Sequence, residues 1–248
     1  MHSKNQILTF VFIMTAIVAL ILSLMYTGLK DIHEQNEAVY AKKAILAAVK
    51  DKLGIDPSKM SNEEVQDMFS SNIKQEVFDM KGNPISSQQV ESAGYKGGLA
   101  ENIDMGKEVK KAEADRLLPL FTFTQGDKKY YILSVRGKGL WDAIWGNIAV
   151  EEDLRTIAGV DFDHKGETPG LGAEIKDNTA WKKQFIGKTI YDSSGKYTGV
   201  NVIKGGAKEP TWQVDGISGA TITADGVGEM MVRGLKYYDP IIKGLKKS

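Results

Sequence analysis

The hydrophobic pattern of the chain begins with one long uncharged stretch near the N-terminus. No charged residue lies between Lys4 and Lys30, and residues 7–29 are almost continuously apolar. About 20 apolar residues suffice for a helix to cross a bilayer. A cleavable signal peptide has a shorter apolar run, of roughly 7–15 residues, and ends in a small-residue cleavage site, which this stretch supplies poorly. We therefore predict a tail over residues 1–6 and an uncleaved transmembrane helix over 7–29, rather than the core helix of a soluble fold.

The pattern after this stretch predicts helices and then a strand. Apolar residues recur at helical spacing within residues 31–50. Ser61 followed by Glu64 forms a capping box, which predicts a second helix over residues 62–71. The apolar segment 77–80 runs into a Gly-Asn-Pro turn and predicts a strand.

The C-terminal half alternates strand patterns with helix signals. A short helix begins at Asp177 or Asn178, and a last long helix is capped by Thr223 and ends before Pro240. The predicted strands are residues 129–135, a segment near 158–162, 189–191 and 197–203.

This order of elements predicts an α+β fold. We expect a single N-terminal transmembrane helix followed by a mixed α+β soluble domain with a largely antiparallel, twisted sheet. The soluble part is divided into a helix-and-strand segment over residues 30–125 and a ligand-binding domain over residues 126–248.

Composition excludes several classes of chemistry. The chain has 248 residues, no cysteine and three scattered histidines, His2, His33 and His164. Disulfides, iron–sulfur clusters, thiol nucleophiles and multi-histidine metal sites are therefore not expected. The 32 acidic residues balance the 32 basic residues, which argues against a nucleic-acid-binding surface.

Three short motifs resemble catalytic signatures but lack their partners. Residues 216–220 read G-I-S-G-A, yet no histidine follows them as an α/β-hydrolase would require. Residues 187–189 end like a P-loop, but Lys182 stands where its first glycine belongs. The glycine pairs at 137–139 and 170–172 lack the third glycine of a dinucleotide fingerprint. We predict no catalytic and no metal-binding residue.

Glycine is in excess and unevenly distributed. Of the 26 glycines, 18 lie in residues 137–248. They cluster in short loops at 137–141, 167–175, 203–207 and 215–221. Glycine permits a close approach of the backbone to a ligand, although a strand-rich domain also needs glycine in its turns.

The last of these loops leads into the predicted C-terminal helix. Thr221 lies just before the helix N-terminus, where free amide groups and the helix dipole favour a phosphate. The threonine hydroxyl could hold that phosphate by hydrogen bonds or be esterified to it. The residues alone do not distinguish a hydrogen-bonded phosphate from an esterified one.

The same loops resemble the FMN-binding domain family. The segment 218–221 reads S-G-A-T after Asp215, and it resembles the flavinylation motif of that family. The segment 167–172 reads E-T-P-G-L-G, a second signature of the family, and 137–141 reads G-K-G-L-W, which matches a third, G-x-G-L-W. The resemblance implies that a flavin transferase attaches FMN from FAD, through the phosphate, to Thr221.

The resemblance also implies which residues surround the flavin. Glu167 and Thr168 are expected to contact it or to shape their loop. Leu140 and Trp141 are expected to pack on the isoalloxazine, in the core or in a subunit interface. The full implied set of cofactor-binding residues is Leu140, Trp141, Glu167, Thr168, Leu171, Gly172, Asp215, Ser218, Gly219, Ala220 and Thr221.

Electron transfer is the function that this resemblance implies. The third motif and the single anchor are most similar to the C subunit family of sodium-translocating NADH:quinone reductases, with the G subunit of Rnf complexes as the alternative. The chain would be an electron carrier whose partners are the other subunits, the flavin transferase and membrane lipid. The soluble domain would lie in the periplasm, anchored in the inner membrane, although the flanking charges do not settle the orientation. An anchored flavin-binding module that transfers no electrons remains the third alternative.

Overall fold

Residues 3–246, described here from a computed structural model, separate into two units after Tyr40. The first unit is helical, and its apolar side chains within residues 7–29 are exposed. Helix α1, Lys4–Ala47, contains the predicted span and continues into the helix predicted from residue 31. Among the described residues it is the one helix long and apolar enough to cross a membrane, with a mean hydropathy of 2.8 in its most apolar window. Exposure of such a surface to water is unfavourable, and a bilayer would cover it.

A six-stranded antiparallel sheet forms the centre of the second unit. Its strand order is β2-β1-β3-β4-β5-β6, and a separate pair, β7 and β8, runs parallel. The antiparallel sheet and the α+β class predicted from the sequence are both confirmed. The strands are β1 Ile73–Asp79, β2 Pro84–Ile85, β3 Leu117–Gln125, β4 Lys128–Lys138, β5 Ala143–Val150, β6 Ile157–His164, β7 Asn201–Ile203 and β8 Gln213–Asp215.

Most helices of the second unit are short, and capping side chains fix several of their starts. Ser61 and Glu64 form the predicted capping box. Asn178, rather than Asp177, caps α7 by accepting the Trp181 N–H at 3.0 Å. The helices after α1 are α2 Lys50–Leu53, α3 Asn62–Asn72, α4 Ser87–Ser92, α5 Met105–Glu108, α6 Glu174–Asp177, α7 Thr179–Lys183, α8 Thr221–Tyr237 and α9 Asp239–Leu245.

Helices cover both faces of the sheet. On one face, the ring of Phe69 from α3 meets Phe121 of β3 edge-on, with the ring centroids 6.2 Å apart. On the other face, α8 lies directly on β4, and two of its glycines make the close approach possible. A Cβ on Gly226 would overlap the carbonyl oxygen of Lys138, and one on Gly234 would lie 2.9 Å from a methyl group of Val135.

Two-sided burial explains the strands that the sequence pattern did not predict. β5 is buried along nearly its whole length, so it lacks the alternation of a strand with one wet face. β3 contains Pro119, which normally argues against a central strand because proline cannot donate a hydrogen bond to the ladder.

The predicted strands at 189–191 and 197–203 are mostly wrong. Within these segments the chain forms an isolated bridge, and only Asn201–Ile203 is a strand.

The sheet also crosses the predicted boundary between the two parts of the soluble region. β3 and β4 form a hairpin whose turn is residues 126 and 127, with Gln125 opposite Lys128, so paired strands lie on either side of the boundary. The division into segments 30–125 and 126–248 stays a prediction.

Close packing of α8 on β4 makes Gly226 sensitive to substitution. We expect Gly226→Ala to lower the free energy of unfolding in urea by about 1–3 kcal/mol, because the new methyl group forces the helix away from Lys138. Gly244→Ala in α9 is the matched control. It meets open space, so the higher helix propensity of alanine should leave stability unchanged or raise it by up to about 1 kcal/mol. Equal effects of the two substitutions would contradict this account of the packing.

Candidate functional site

A cavity lies at the N-terminus of α8 and brings the three sequence motifs together. Its volume is about 310 Å³. The hairpin between β4 and β5, the exit of β6 and the start of α8 meet there, because Lys138 pairs with Ala143 and Ile144 pairs with His164 at one end of the sheet. The lining residues are Leu140, Trp141, Glu167, Thr168, Leu171, Gly172, Gly219, Ala220, Thr221, Ile222 and Thr223.

Thr221 is the first residue of α8 and is half-buried. No side chain of the N-cap position caps this helix, so its first amide groups are available to an acceptor from outside. Gly219, with a φ of +80°, turns the chain into the helix. A hydroxyl and a row of free amides therefore face the same place, which is the geometry that binds a phosphate.

The predicted capping role of Thr223 is wrong. Thr223 lies inside the first turn of α8 and is 1% exposed. Its hydroxyl donates to Oε2 of Glu167 at 2.6 Å and accepts the Leu140 N–H at 3.4 Å. A side chain committed to these tertiary contacts cannot satisfy the amides of its own helix, which leaves them to a ligand.

Glu167 is the polar centre of the site. It is 5% exposed, and its Oε1 accepts the backbone N–H of Trp141 at 2.9 Å while Oε2 accepts from Thr223. Its own backbone N–H donates to Nδ1 of His164 at 3.1 Å. Burial raises the pKa of the carboxyl, but the hydrogen bonds from Thr223, Trp141 and Asp142 outweigh burial and hold the pKa below its ordinary value. Glu167 is thus an anionic clamp on the loop of Trp141.

Two glycines make room for this carboxylate. A Cβ on Gly139 would lie 2.5 Å from Oε1 of Glu167, and a Cβ on Gly172 would overlap Oε2. Gly139 belongs to the 137–141 motif and Gly172 to the 167–172 motif. The two motifs therefore share one physical requirement, which sequence reasoning missed because it is a contact between distant segments.

Exposed apolar side chains border the cavity. Four of them are about half exposed or more: Leu140 (46%), Trp141 (66%), Leu171 (45%) and Ile222 (58%). Clustered exposed apolar side chains mark a binding surface. Sequence reasoning missed Ile222, although a signal existed: it precedes the buried face of α8, which begins at Thr223.

A second cavity lies on the other side of Thr221. Its volume is about 330 Å³, and Lys204, Ser218 and Asp225 are among its lining residues. Gly219 and Thr221 line both cavities, so Thr221 belongs to the boundary that the two cavities share.

Asp215 lines neither cavity. Its Oδ1 accepts the Ala207 N–H at 2.7 Å, and its carbonyl accepts from the indole of Trp181 at 2.6 Å. These bonds hold the loop that leads to Ser218. Direct contact of Asp215, or of any residue of the predicted set, with a cofactor stays a prediction.

The clamp predicts a pH-dependent stability difference for Glu167→Gln. Near pH 7 the substitution replaces charged acceptor bonds with neutral ones, and we expect the free energy of unfolding to fall by about 1–3 kcal/mol. Because the folded pKa of Glu167 is depressed, its contribution is present above the unfolded value of 4.5 and is lost as pH falls through the folded pKa. Urea unfolding of both proteins at stepped pH measures the difference, which should shrink below about pH 4.5.

Glu152→Gln is the control for this experiment, because Glu152 is exposed. It should change stability little at any pH. A Glu167→Gln protein as stable as the wild type at neutral pH would show that the carboxylate is not the clamp.

Comparison with known proteins agrees with this geometry. The FMN-binding domain family matches residues 139–236, which include every lining residue of the first cavity. The C subunit of the Na(+)-translocating NADH-quinone reductase of Pseudomonas aeruginosa is 32% identical over 93% of this chain and 93% of its own length. The corresponding C subunit of Vibrio campbellii is 32% identical over 86% of this chain and 84% of its own.

Solved structures share the fold. The crystal structure of the same reductase's C subunit from Parabacteroides distasonis has a TM-score of 0.72 and 32% identity, and the match covers 86% of this chain and 96% of that one. NqrC of Shewanella oneidensis has a TM-score of 0.66 at 27% identity, and the match covers 88% of this chain and all of that one. The apolar helix α1 fits the membrane anchoring of such a protein. These matches favour the C subunit over the Rnf alternative. The chain belongs to the family of the C subunit of Na(+)-translocating NADH-quinone reductase.

Proposed function

We propose that the chain carries FMN esterified through its phosphate to Thr221. The observation that carries the proposal is the position of Thr221, which lines two cavities at the start of α8, where no N-cap side chain caps the helix. A flavin transferase would bring FAD to this hydroxyl. The threonine oxygen would attack the phosphorus of the FMN half of FAD, the bond between the two phosphates would break with AMP as the leaving group, and the hydroxyl proton would pass to the surrounding water or the transferase.

The residues of the site fit this cofactor. The free amides at the start of α8 would hold the phosphate, and the apolar side chains of Leu140, Trp141, Leu171 and Ile222 offer a surface for a flat ring. Bound flavin supplies electron transfer in steps of one or two electrons. The chain's own residues position it, and the clamp at Glu167 keeps one negative charge beside the cavity.

The proposed role is electron relay within a membrane complex. The relatives are named as subunits of a sodium-translocating NADH-quinone reductase, and we infer that this chain relays electrons from NADH towards quinone in such a complex. Sodium translocation belongs to the complex as a whole. The partners are its other subunits, the flavin transferase and the lipid around α1. The soluble domain lies on the periplasmic side of the inner membrane in this proposal.

In-gel fluorescence tests the attachment. We expect the denatured wild-type chain, made in a host with the transferase, to give a fluorescent band under ultraviolet light. Thr221→Ala should abolish the band, because the ester oxygen is gone, and the NADH-driven quinone reduction of the assembled complex should fall to background. Ser218→Ala, three residues earlier in the same loop, is the matched control and should keep the band. A dark wild-type band would refute covalent attachment, and a bright band in Thr221→Ala would refute attachment at Thr221. A bright wild-type band together with a dark Thr221→Ala complex that keeps its full rate of quinone reduction would favour a flavin module without electron transfer.

A reporter fusion tests the orientation. Alkaline phosphatase fused to the C-terminus is active only outside the cytoplasm, so we expect an active fusion and an inactive cytoplasmic reporter, such as β-galactosidase, at the same position. The reverse pattern would place the soluble domain in the cytoplasm and contradict the proposed topology.

A further inference from the structure

A basic cleft lies beside the candidate flavin cavity. Its volume is about 680 Å³, and it is open to solvent. Trp141 lines both the cleft and the flavin cavity, so the two share a wall. The charged residues that line the cleft are Asp104, Lys107, Lys110, Arg136, Asp142, Lys138, Lys165 and Arg233.

The six cations of the cleft outnumber its two carboxylates, so the cleft keeps a net positive charge. Asp104 accepts the backbone N–H groups of Gly106 and Lys107 as the cap of α5. Asp142 accepts the Ala143 N–H at 2.7 Å and pairs with Lys165 at 3.1 Å. Both carboxylates of the cleft are therefore already engaged by the chain's own donors.

Four cations remain without an ion pair among the described residues: Lys107, Lys110, Arg136 and Lys138. Arg233 pairs with Glu229 at 3.1 Å, but both side chains are more than half exposed, and such a pair is weak. The chain as a whole is neutral, so this concentration of charge is local.

The fold holds the cations on one surface although they come from separate elements. Arg136 and Lys138 are two residues apart on β4 and so lie on the same face of that strand. Lys107 belongs to α5, and a Cβ built on Gly106 would lie 3.1 Å from Cζ of Arg136, which shows how closely α5 approaches β4. The guanidinium of Arg136 lies 5.4 Å from the ring centre of Trp145, which limits its movement.

We propose that this cleft docks an acidic surface segment of the subunit that exchanges electrons with the flavin. The inference rests on the proposed function, because it assigns the direction from which a redox partner approaches. Charge complementarity favours aspartate and glutamate side chains as the occupant. The shared wall at Trp141 favours a redox partner over a lipid surface, because a segment that neutralises the cleft brings its subunit to the edge of the flavin cavity.

Exposed lysines around an open cleft fit a transient protein contact better than an enclosed small ligand. Lys107, Lys110 and Lys138 are all exposed. Contacts of this kind speed the encounter of two proteins and weaken as salt screens them, over a Debye length of about 8 Å at physiological ionic strength. An electron carrier benefits from such a contact, since it has to release its partner as well as bind it.

Zero-length cross-linking in the isolated, flavin-loaded complex tests the docking. A carbodiimide joins a lysine amine to a carboxylate only where the two touch. We expect mass spectrometry to find Lys107, Lys110 or Lys138 joined to aspartate or glutamate of another subunit, with the yield falling at high salt. Lys183 and Lys208 are exposed, lie outside the cleft and serve as controls. Cleft lysines that react with other subunits no more than these controls would overturn the proposal.

Charge reversal gives the functional readout. The double variant Lys107→Glu with Lys110→Glu should slow NADH-driven quinone reduction at low ionic strength by about tenfold. Its in-gel flavin fluorescence should match the wild type, while Lys183→Glu with Lys208→Glu should leave the rate unchanged. An unchanged rate in the cleft variant, or an equal loss in the control variant, would overturn the proposal.

Other occupants are outcomes of the same experiment. With the complex reconstituted in vesicles, a loss of rate in the cleft variant that appears in anionic vesicles but not in neutral ones would assign the cleft to the membrane surface and overturn the proposal. Suppression of the cross-links by inorganic phosphate at constant ionic strength would assign the cleft to a small anion. That result would also overturn the docking proposal. A bright flavin band without cross-links would sink the docking proposal alone, whereas a dark wild-type band would sink the covalent flavin as well.

Discussion

The buried carboxylate of Glu167 is the contact on which the site depends. It receives a backbone amide from the loop after β4 and a hydroxyl from the first turn of α8, so it joins three segments that are far apart in the sequence. A buried carboxylate is stable only where donors satisfy it, since an unpaired one is costly. This requirement fixes the position of Trp141 and explains the glycines at 139 and 172, where a side chain would occupy the space of the carboxylate.

The sheet makes this contact possible. Because neighbouring strands are antiparallel, the end of β4, the start of β5 and the end of β6 lie at the same end of the sheet. Helix α8 then crosses β4 closely enough for Gly226 to touch the backbone of Lys138, which places the first turn of α8 at that end. Because Thr223 is drawn inward to Glu167, the amides at the start of α8 remain available and Thr221 faces the cavities.

Some of the fold could be predicted from the sequence because the signals are local. The apolar run, the capping box at Ser61 and the cap at Asn178 each depend on residues within one or two helical turns. β5 could not be predicted, because its burial on both faces is a property of the assembled layers, and β3 was missed because Pro119 argues locally against a central strand. Thr223 illustrates the same limit at the site. Its sequence position fits a helix cap, but its hydroxyl instead donates to the carboxylate of Glu167, 56 residues away in the sequence.

The pattern of residues along the chain is enough to predict the long apolar helix, the α+β class and the three motifs that resemble a flavin-binding domain, since each is a short-range pattern of residue types. It also placed Thr221 next to a helix start. Three further features appear only in the folded chain. The motifs meet around one cavity, and Glu167 clamps the neighbouring loop. One basic cleft beside Trp141 contains Lys107, Lys110, Arg136 and Lys138. The reason is physical: hydrogen bonds to a buried charge and the summed field of several cations depend on distances between residues that strand pairing and helix packing bring together.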